Sequence, residues 1–299
     1  METQRVIALG FFDGVHLGHG GLLKKAVEVA ARLGCSPAVL TFDQHPDNLM
    51  AGQPVTPLIN TLEDRRRLCR VYYGIDECIT AHFDHAMRTM PWREFVVQYL
   101  VRNLGAVHLI CGHDFHFGYR GQGTPQRLQQ LCASLGIGCD VIPQICLDGV
   151  AVSSTYIRSL IAAGDMETAA RFLGHPHCLT GEVVHGKQLG RTLGIPTANL
   201  ILPEGLLAPA FGVYAAMVCT AQGSWPAVVN VGVRPTVEHT DRAAVESWLL
   251  DFDGDLYGQQ IRVEFYSFLR PERRFPDVAS LRAEILRNAD ETRRYFSGM

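Results

Sequence analysis

The sequence predicts two domains, a doubly wound α/β domain followed by an antiparallel sheet or barrel. The length of 299 residues suits two domains of about 150 residues each. Up to residue 174, short apolar strands alternate with amphipathic helices, an order that is typical of a parallel sheet with helices on both faces. After Gly174, short alternating segments are separated by Gly, Pro and Asp turns, which is typical of antiparallel sheets. We therefore predict one domain at 1–174 and a second at 175–299.

The elements of the first half follow from apolar periodicity and from signals at helix ends. The first strand is predicted at 5–10. Between Leu22 and Leu33 the apolar residues recur with the period of a helix, and Gly34 ends that helix. Thr61 and Pro91 are residue types found at helix starts. The remaining strands are predicted at 38–42, 78–81, 107–111 and 140–143, and the remaining helices at 62–73, 91–104, 126–135, 155–163 and 166–173.

The second half is predicted to consist of strands closed by one helix. Apolar residues from 278 to 296 step by three and four, which predicts a terminal helix. The predicted strands lie at 180–184, 213–219, 227–231, 245–250 and 261–268.

Composition excludes several classes of protein. The chain has 27 Lys and Arg against 30 Asp and Glu, a net charge of −3, so it lacks the basic surplus of nucleic-acid binders. The longest uncharged apolar stretch, 206–220, is interrupted by Pro209 and Gly212 and is shorter than the roughly 20 residues of a membrane span. The first residues lack the apolar core of a secretory signal. We expect a cytoplasmic protein with no nucleic-acid or membrane partner.

The cysteines indicate free thiols. The chain has nine cysteines, an odd number, and they are scattered without a Cys-x-x-Cys pair. We predict reduced and mostly buried thiols rather than a disulfide framework.

The segment after the first strand carries residues suited to bind an anion. Gly14, Gly18 and Gly20 let a ligand approach the backbone, and His16 and His19 can donate hydrogen bonds to phosphate oxygens. The segment joins a strand to a helix, where free N–H groups and the helix dipole favour negative charge. We predict a phosphate site here.

Two further His-x-x-His pairs occur, His82 with His85 and His113 with His116. A zinc site usually needs a third or fourth ligand, and no such ligand follows at a supporting spacing. We expect these histidines to be solvated or hydrogen-bonded.

A second anion site is predicted near residue 154. Ser154 and Thr155 place hydroxyls at a helix start, and Arg158 follows one turn later. Such a group suits a leaving pyrophosphate. Taken alone, the segment is better interpreted as an N-cap with a surface arginine, and its significance comes from the histidine segment upstream.

Taken together, the motifs resemble the nucleotidylyltransferase superfamily and, more closely, the prokaryotic bifunctional riboflavin kinase and FAD synthetase family. In the first half the matching segments are an HxGH motif at 16–19, an SSTxIR motif at 153–158, a GxDFxFG-like segment at 112–118 and a TFDPHP-like segment at 41–46. In the second half they are a glycine segment at 181–186, a segment at 190–199 that ends in PTAN, and shorter matches at 212–214, 230–236, 246, 249–252 and 256–258.

For the first domain, the resemblance implies a Rossmann-like fold that transfers AMP from ATP to FMN and releases pyrophosphate. His16 and His19 would contact the ATP phosphates, and Mg²⁺ is expected with the nucleotide. The other implied phosphate-binding residues are Gly14, Gly18, Ser154, Thr155 and Arg158. The residues implied for the flavin pocket are Asp114, Phe115 and Phe117, for which a buried aromatic turn is the alternative.

For the second domain, the resemblance implies a β-barrel flavokinase that phosphorylates riboflavin at its ribityl hydroxyl. Glu246 is the candidate general base. Thr197 and Asn199 would supply oxygen ligands for phosphate and Mg²⁺, and Gly186 and Gly190 would form a loop over the nucleotide phosphates. Riboflavin, FMN and ATP are the expected small-molecule partners, and nothing in the sequence indicates an oligomer.

Several positions depart from the family pattern. Phe11 stands where a small polar residue such as Asn is common, and an arginine, Arg65 or Arg66, stands where Lys is common. The other departures are Gln44, Ala210, Phe211, Ser247 and Trp248. These changes bear on substrate affinity and on the relative strength of the two activities.

Two alternative functions stay open at this point. One is a flavin-binding or regulatory protein that keeps both folds and has lost one chemistry. The other is an adenylyltransferase for a different phosphate-bearing substrate.

Overall fold

The computed structural model describes residues 3–186, 194–234 and 242–298. The chain divides into two compact units, one formed by Met1–Leu58 and Leu62–Ser154 and the other by Ile59–Thr61 and Thr155–Met299. The two short helices that precede residue 174 fall in the second unit. The boundary after residue 174 stays a prediction.

The first unit is built on a parallel sheet, as predicted. Its strands are β1 (Arg5–Leu9), β2 (Ser36–Phe42), β3 (Glu77–Ala81), β4 (Ala106–Gly112) and β5 (Gly138–Ile142), in the order β3-β2-β1-β4-β5. All four pairings are parallel. The strand order reverses between β1 and β4, and ligands of such sheets bind in the crevice at this switch point.

Helices connect the strands of this sheet. They are α1 (Leu17–Leu33), α2 (Pro46–Ala51), α3 (Leu62–Tyr73), α4 (His85–Thr89), α5 (Trp92–Glu94), which continues as a π-helix (Phe95–Asn103), a 3-10 turn (Tyr119–Gly121) and α6 (Pro125–Leu135). Gly34 ends α1 in the left-handed conformation, with φ 68°, as its position predicts. The predicted helix 91–104 is present, but its second part is wider than an α-helix because bonds such as Leu104 N–H to Tyr99 O span five residues.

The core of the first unit has two apolar layers, one on each face of the sheet. Along β1, Ile7 and Leu9 belong to one layer, and Val6 and Ala8 belong to the other. All four side chains are buried, which explains why this strand is apolar throughout.

A hairpin and two helices follow the sheet. The hairpin strands are β6 (Cys146–Leu147) and β7 (Val150–Ala151), and the helices are α7 (Ser154–Ala163) and α8 (Met166–Leu173). The helices were predicted from periodicity, whereas the hairpin was not.

The second unit is an antiparallel six-stranded sheet that nearly closes into a barrel. Its strands are β8 (His177–Glu182), β9 (Ala198–Ile201), β10 (Gly212–Thr220), β11 (Gly223–Arg234), β12 (Arg242–Leu249) and β13 (Gln260–Pro271), in the order β8-β13-β10-β11-β12-β9. Just beyond β8, the Val184 N–H donates to the Asn199 carbonyl of β9 at 2.9 Å, which joins the two edges. The helix α9 (Val278–Ser297) ends the chain, and the predicted barrel with a terminal helix is confirmed.

Two further expectations concern the whole chain. All nine cysteines are free thiols, as predicted, but the expectation that most are buried is wrong, since four are buried, four are half-buried and Cys146 is exposed. Across the described ranges, no helix combines the length and apolarity that crossing a bilayer requires.

A histidine is buried in the barrel without a polar partner. His177 begins β8, and its ring packs against Phe265 with centroids 5.7 Å apart. Neither ring nitrogen has a hydrogen-bond partner. Desolvation, and secondarily the nearby His175, lower the pKa of His177 from 6.5 to about 3.

We expect this histidine to make the barrel sensitive to acid. Above about pH 6.5 the imidazole is neutral in both the folded and the unfolded chain, so His177 has no effect on the pH dependence of stability. As the pH falls toward 3, only the unfolded chain takes up the proton, and roughly 3 kcal/mol of stability is lost by pH 4. Urea unfolding of a His177→Leu variant should show a smaller loss between pH 7 and pH 4 than the parent. Equal losses in the two proteins would contradict this role.

Candidate active sites

The first candidate site is the loop between β1 and α1, at the switch point of the parallel sheet. Phe12 and Val15 have φ values of 57° and 43°, in a region of backbone conformation that residues other than glycine rarely adopt. Both side chains are fully buried, so core packing holds the strained loop. Gly14 lies between them at φ 82°, where a glycine is required.

Two histidines lie at the start of α1. His16 is the N-cap, and its Nδ1 accepts the backbone N–H of His19 at 3.2 Å. The two imidazole rings stack with centroids 3.6 Å apart and 12° between their planes. Stacking at this distance disfavours two imidazolium charges.

The charge state of His19 follows from this environment. Burial lowers the pKa of His19 well below its usual value, and His16 and Arg65 lower it further. His19 is therefore neutral at physiological pH, so that its ring can offer an anion an N–H donor but not a positive charge.

Steric crowding explains why the third residue of the HxGH motif, Gly18, has no side chain. A Cβ on Gly18 would lie 3.0 Å from the His16 ring and 3.2 Å from the Val152 carbonyl. Gly18 thus lets the histidine ring and the chain before α7 approach the first turn of α1.

The predicted second anion group begins at the start of α7. The Ser154 hydroxyl donates to the Asp13 carbonyl of the histidine loop at 3.0 Å. Thr155 and Arg158 lie on the first turns of α7, as predicted, and belong to the second compact unit. Ser154 therefore has a structural bond to the loop in addition to any ligand it binds.

The segment predicted for the flavin pocket follows β4, on the other side of the switch point from β1. The Asp114 side chain is exposed, Phe115 is half-buried and Phe117 is buried. The Phe115 and Phe117 rings stack at 5.3 Å, and Phe117 also packs against Phe95 at 5.6 Å. Phe117 thus belongs to the core as well as to this segment, and Asp114 and Phe115 are the more accessible of the three.

In each of the two other His-x-x-His pairs, one histidine has a hydrogen bond. His82 Nδ1 donates to the Asp43 carboxylate at 2.5 Å, and this bond raises the pKa of His82. His116 Nδ1 donates to the Asp114 carbonyl at 2.8 Å. Among the described residues, no group of three or more His, Cys, Asp and Glu side chains could hold a metal ion.

The second candidate site is a cavity of about 330 Å³ beside β11 and β12, a size in the range of small-molecule sites. Glu246, Thr197 and Asn230 line it with polar groups. Its other lining includes Trp248, Phe275, Arg270, Arg273 and several aliphatic side chains. The cavity therefore combines aromatic walls with a threonine and two carboxylates, those of Glu246 and Glu272.

The sheet register explains why these polar groups lie together. Glu246 pairs with Asn199 of β9 on one side and with Asn230 of β11 on the other. Its neighbours Val245 and Ser247 are fully buried, whereas Glu246 is exposed, so strand alternation turns the carboxylate to the cavity face.

A second cavity, of about 260 Å³, lies next to the first. It is lined by Gly186, Pro196, Thr197, Asn199, Gly254, Asp255 and Tyr257. The Tyr257 ring stacks on His185 with centroids 3.9 Å apart. Thr197 lines both cavities, so a group bound beside Thr197 can reach from one to the other.

Asn199 is fixed next to Thr197. Its Nδ2 donates to the Thr197 carbonyl at 3.2 Å, which leaves Oδ1 as an acceptor. A Cβ on Gly186 would lie 2.6 Å from the Asn199 amide, so this position has room only for glycine. Gly190, the other predicted loop glycine, lies outside the described residues.

We expect Gly186→Ala to damage this second site specifically. The added methyl would displace the Asn199 side chain and lower turnover at the barrel site at least tenfold, the effect of a misplaced binding group. Gly181→Ala is the matched control, because its Cβ would meet only Leu200 at an ordinary 3.5 Å. Initial rates of the phosphorylation that the family resemblance implies for this domain measure the effect, and equal rates in the two variants would contradict it.

Both halves of the chain match families of known proteins. Residues 1–156 match the FAD synthetase family, and residues 173–296 match the riboflavin kinase family. The chain is 39% identical to the bifunctional riboflavin kinase/FMN adenylyltransferase of Pseudomonas fluorescens, over 95% of this chain and 90% of that protein. It is 33% identical to the Bacillus subtilis protein of the same name, over 100% and 94%. The chain belongs to this bifunctional family.

The family resemblance predicted from the motifs is therefore confirmed, with an FAD synthetase domain first and a riboflavin kinase domain second. The fold is also similar to the crystal structure of a macrolide-efflux protein from Streptococcus pneumoniae. That likeness has a TM-score of 0.87 and 28% identity, and it covers 98% of this chain and 95% of that one.

The residues at which this chain departs from the family pattern lie in different environments of the structure. Trp248 lines the larger cavity, whereas Ser247 is buried beneath it. The Ala210 carbonyl accepts the Tyr214 hydroxyl at 2.5 Å, and Phe211 is exposed beside it. Gln44 is exposed between β2 and α2. Trp248 is the departure in this group that lines a candidate site.

Several residues of the kinase site had no predicted role. Arg270 lies near the end of β13, and Arg273 and Phe275 follow that strand. All three line the cavity because of how the chain folds, and nothing in the local sequence indicates it. The stacked rings of His185 and Tyr257 belong to residues that are 72 positions apart in the chain. No local period or spacing signals such contacts, although Tyr257 lies in a segment that matches the family.

Proposed function

We propose that the second domain transfers the γ-phosphate of ATP to riboflavin, and that the first domain transfers AMP from a second ATP to the resulting FMN. The observation that carries the kinase assignment is the position of Thr197, which lines both a polar cavity suited to nucleotide phosphates and an apolar cavity that holds a carboxylate. A phosphate beside Thr197 would lie between donor and acceptor.

In the kinase site, the isoalloxazine ring would occupy the cavity lined by Trp248 and Phe275, and the ribityl chain would point toward Thr197. Glu246 accepts the proton of the terminal hydroxyl as its oxygen attacks the γ-phosphorus. The bond from that phosphorus to the ADP oxygen breaks, and ADP leaves. A placed carboxylate contributes about 10²- to 10⁴-fold to such a step.

The donor set near Thr197 suits Mg²⁺ held together with ATP. The Thr197 hydroxyl, Asn199 Oδ1 and the Asp255 carboxylate line one cavity, and hard oxygen donors in small number are what this ion uses beside substrate phosphates. When bound, Mg²⁺ neutralises phosphate charge. Thr197 and Asn199 would hold it, and both side chains also orient the nucleotide.

Adenylyl transfer in the first domain requires catalytic groups different from those of the kinase site. A phosphate oxygen of FMN attacks the α-phosphorus of ATP, a new P–O–P bond forms, and the bond to pyrophosphate breaks. The attacking oxygen is already ionised, so the step needs no general base. His19, whose pKa is lowered by burial, and His16, whose ring stacks on it, suit this step because each can donate a ring N–H to phosphate oxygens.

The remaining first-domain residues are proposed in binding roles. Gly14 and Gly18 let the phosphates approach the start of α1, and Ser154, Thr155 and Arg158 hold the departing pyrophosphate. Asp114 and Phe115 would contact the flavin or nucleotide, with Phe117 supporting them from the core. We further propose that the enzyme acts in the cytoplasm on small molecules alone.

The assay of the proposed function is direct. Purified protein with riboflavin, ATP and Mg²⁺ should yield FMN first and FAD later by chromatography, with one ADP released per FMN formed and one pyrophosphate per FAD. Tight flavin binding without turnover would instead favour a binding protein. Formation of neither product would overturn the proposal.

A further inference from the structure

A fully buried arginine lies beneath the histidine loop of the first domain. Arg65 belongs to α3, and its side chain is 0% exposed. Its Nη1 donates to the Thr41 hydroxyl at 2.7 Å and to the Phe42 carbonyl at 3.1 Å. The Thr41 hydroxyl in turn donates to the Phe11 carbonyl at 2.7 Å. Arg65 thus links the end of β2 to the loop that follows β1.

The guanidinium also contacts the ring of Phe11. Its Cζ lies 4.5 Å from the ring centroid, within the range of a cation–π interaction. Phe11 and an arginine in this region were both noted as departures from the family pattern. The structure shows that Arg65, rather than Arg66, contacts the Phe11 ring.

Arg65 influences the charge of the site. It lowers the pKa of His19, as His16 does, and both effects add to desolvation. Burial lowers the pKa of the Arg65 guanidinium itself, and the charge of the buried Asp13 carboxyl opposes this effect. The Tyr73 hydroxyl packs at Gly20 on the next turn of α1. Among these groups, Arg65 is the permanent positive charge.

We propose that Arg65 is a positioning residue for adenylyl transfer, and that the Phe11 ring is its partner, fixing the guanidinium beneath the histidine loop so that the loop keeps its shape. The inference rests on the adenylyl transfer proposed above.

Burial gives this arrangement its strength. A guanidinium in a site shielded from water acts on neighbouring charges more strongly than a surface arginine does. Arg65 Nε has no hydrogen-bond partner, so the ring of Phe11 and the bonds of Nη1 are what hold the group. A lysine could supply the charge but not the planar face that stacks on an aromatic ring.

A double-mutant cycle tests the pair. Arg65→Met and Phe11→Leu should each lower kcat/KM for FAD formation from FMN, with Arg65→Met lowering it at least tenfold. If the contact matters, the double variant should lose less than the product of the single losses, by roughly two- to thirtyfold. Arg66→Met is the matched control, because Arg66 on the same helix donates to the Thr80 hydroxyl at 2.9 Å instead. Riboflavin phosphorylation in the same samples reports an intact second domain.

The pH profile separates positioning from mere stability. Without Arg65 the pKa of His19 rises, so the acid-side bend of kcat/KM should move to higher pH in Arg65→Met, and Arg65→Lys should restore the parental bend. Single losses that multiply without coupling, or a profile of unchanged shape in Arg65→Met, would overturn the proposal. If the parent protein made no FAD, the proposed function would fail first, so the two failures are distinguishable.

Discussion

Replacing Glu246 by Gln is expected to lower FMN formation from riboflavin by roughly 10²- to 10⁴-fold. The amide keeps the size of the side chain and cannot accept the hydroxyl proton. Glu246 lies on β12 beside Asn199 and Asn230 and faces the larger cavity, so the substitution should leave the sheet register unchanged. The measurement is the initial rate of FMN release, followed by chromatography at saturating ATP.

The same variant carries its own control. FAD formation from supplied FMN should proceed at the parental rate, because Glu246 belongs to the second unit and the histidine loop to the first. If both activities fell together, the assignment of the two reactions to separate sites would be wrong. If neither fell, Glu246 would be an ordinary strand carboxylate.

Replacing His16 by Asn is expected to have the opposite pattern. FAD formation should drop by roughly 10²-fold or more, the typical cost of removing a donor to transition-state charge, while riboflavin phosphorylation continues. Asn is a good N-cap, so the variant keeps the bond that His16 Nδ1 accepts from the His19 N–H. The measurement is FAD and pyrophosphate formed from FMN and ATP.

This choice of substitution separates catalysis from helix capping. His16→Ala would remove both the ring and the cap, which costs about 1 kcal/mol of stability. Should His16→Asn retain full adenylylation, the ring would serve only to begin α1, and the phosphate-binding role would have to pass to other groups of the loop.

Much of the fold was predictable because its signals are local. The apolar run of β1 and the helical period before Gly34 are both properties of adjacent residues. After Gly174 the alternation of strands and helices gives way to short strands separated by turn residues, and this change likewise distinguished the barrel from the parallel sheet. The shortest strands were not predicted from these local signals. The four-residue strand β9 falls within the PTAN segment, and the β6–β7 hairpin spans too few residues for a period, although Asp148-Gly149 is itself a turn signal.

The candidate sites divide in the same way. The two loop histidines and Glu246 stand in recognisable local segments, so the sequence indicated them. The pairing of Glu246 with Asn199 depends on strand register, and the contact of Arg65 with Phe11 depends on how α3 packs beneath the loop. Such relations arise from tertiary packing, which no spacing within a segment encodes.

The central claim is that two separate sites act in sequence and exchange free FMN. The most direct test mixes the Glu246→Gln and His16→Asn variants with riboflavin, ATP and Mg²⁺. Neither variant alone should make appreciable FAD from riboflavin, and the mixture should make it, because one variant supplies FMN and the other consumes it. A mixture that forms no FAD, although each variant retains its remaining activity on its own substrate, would contradict the account.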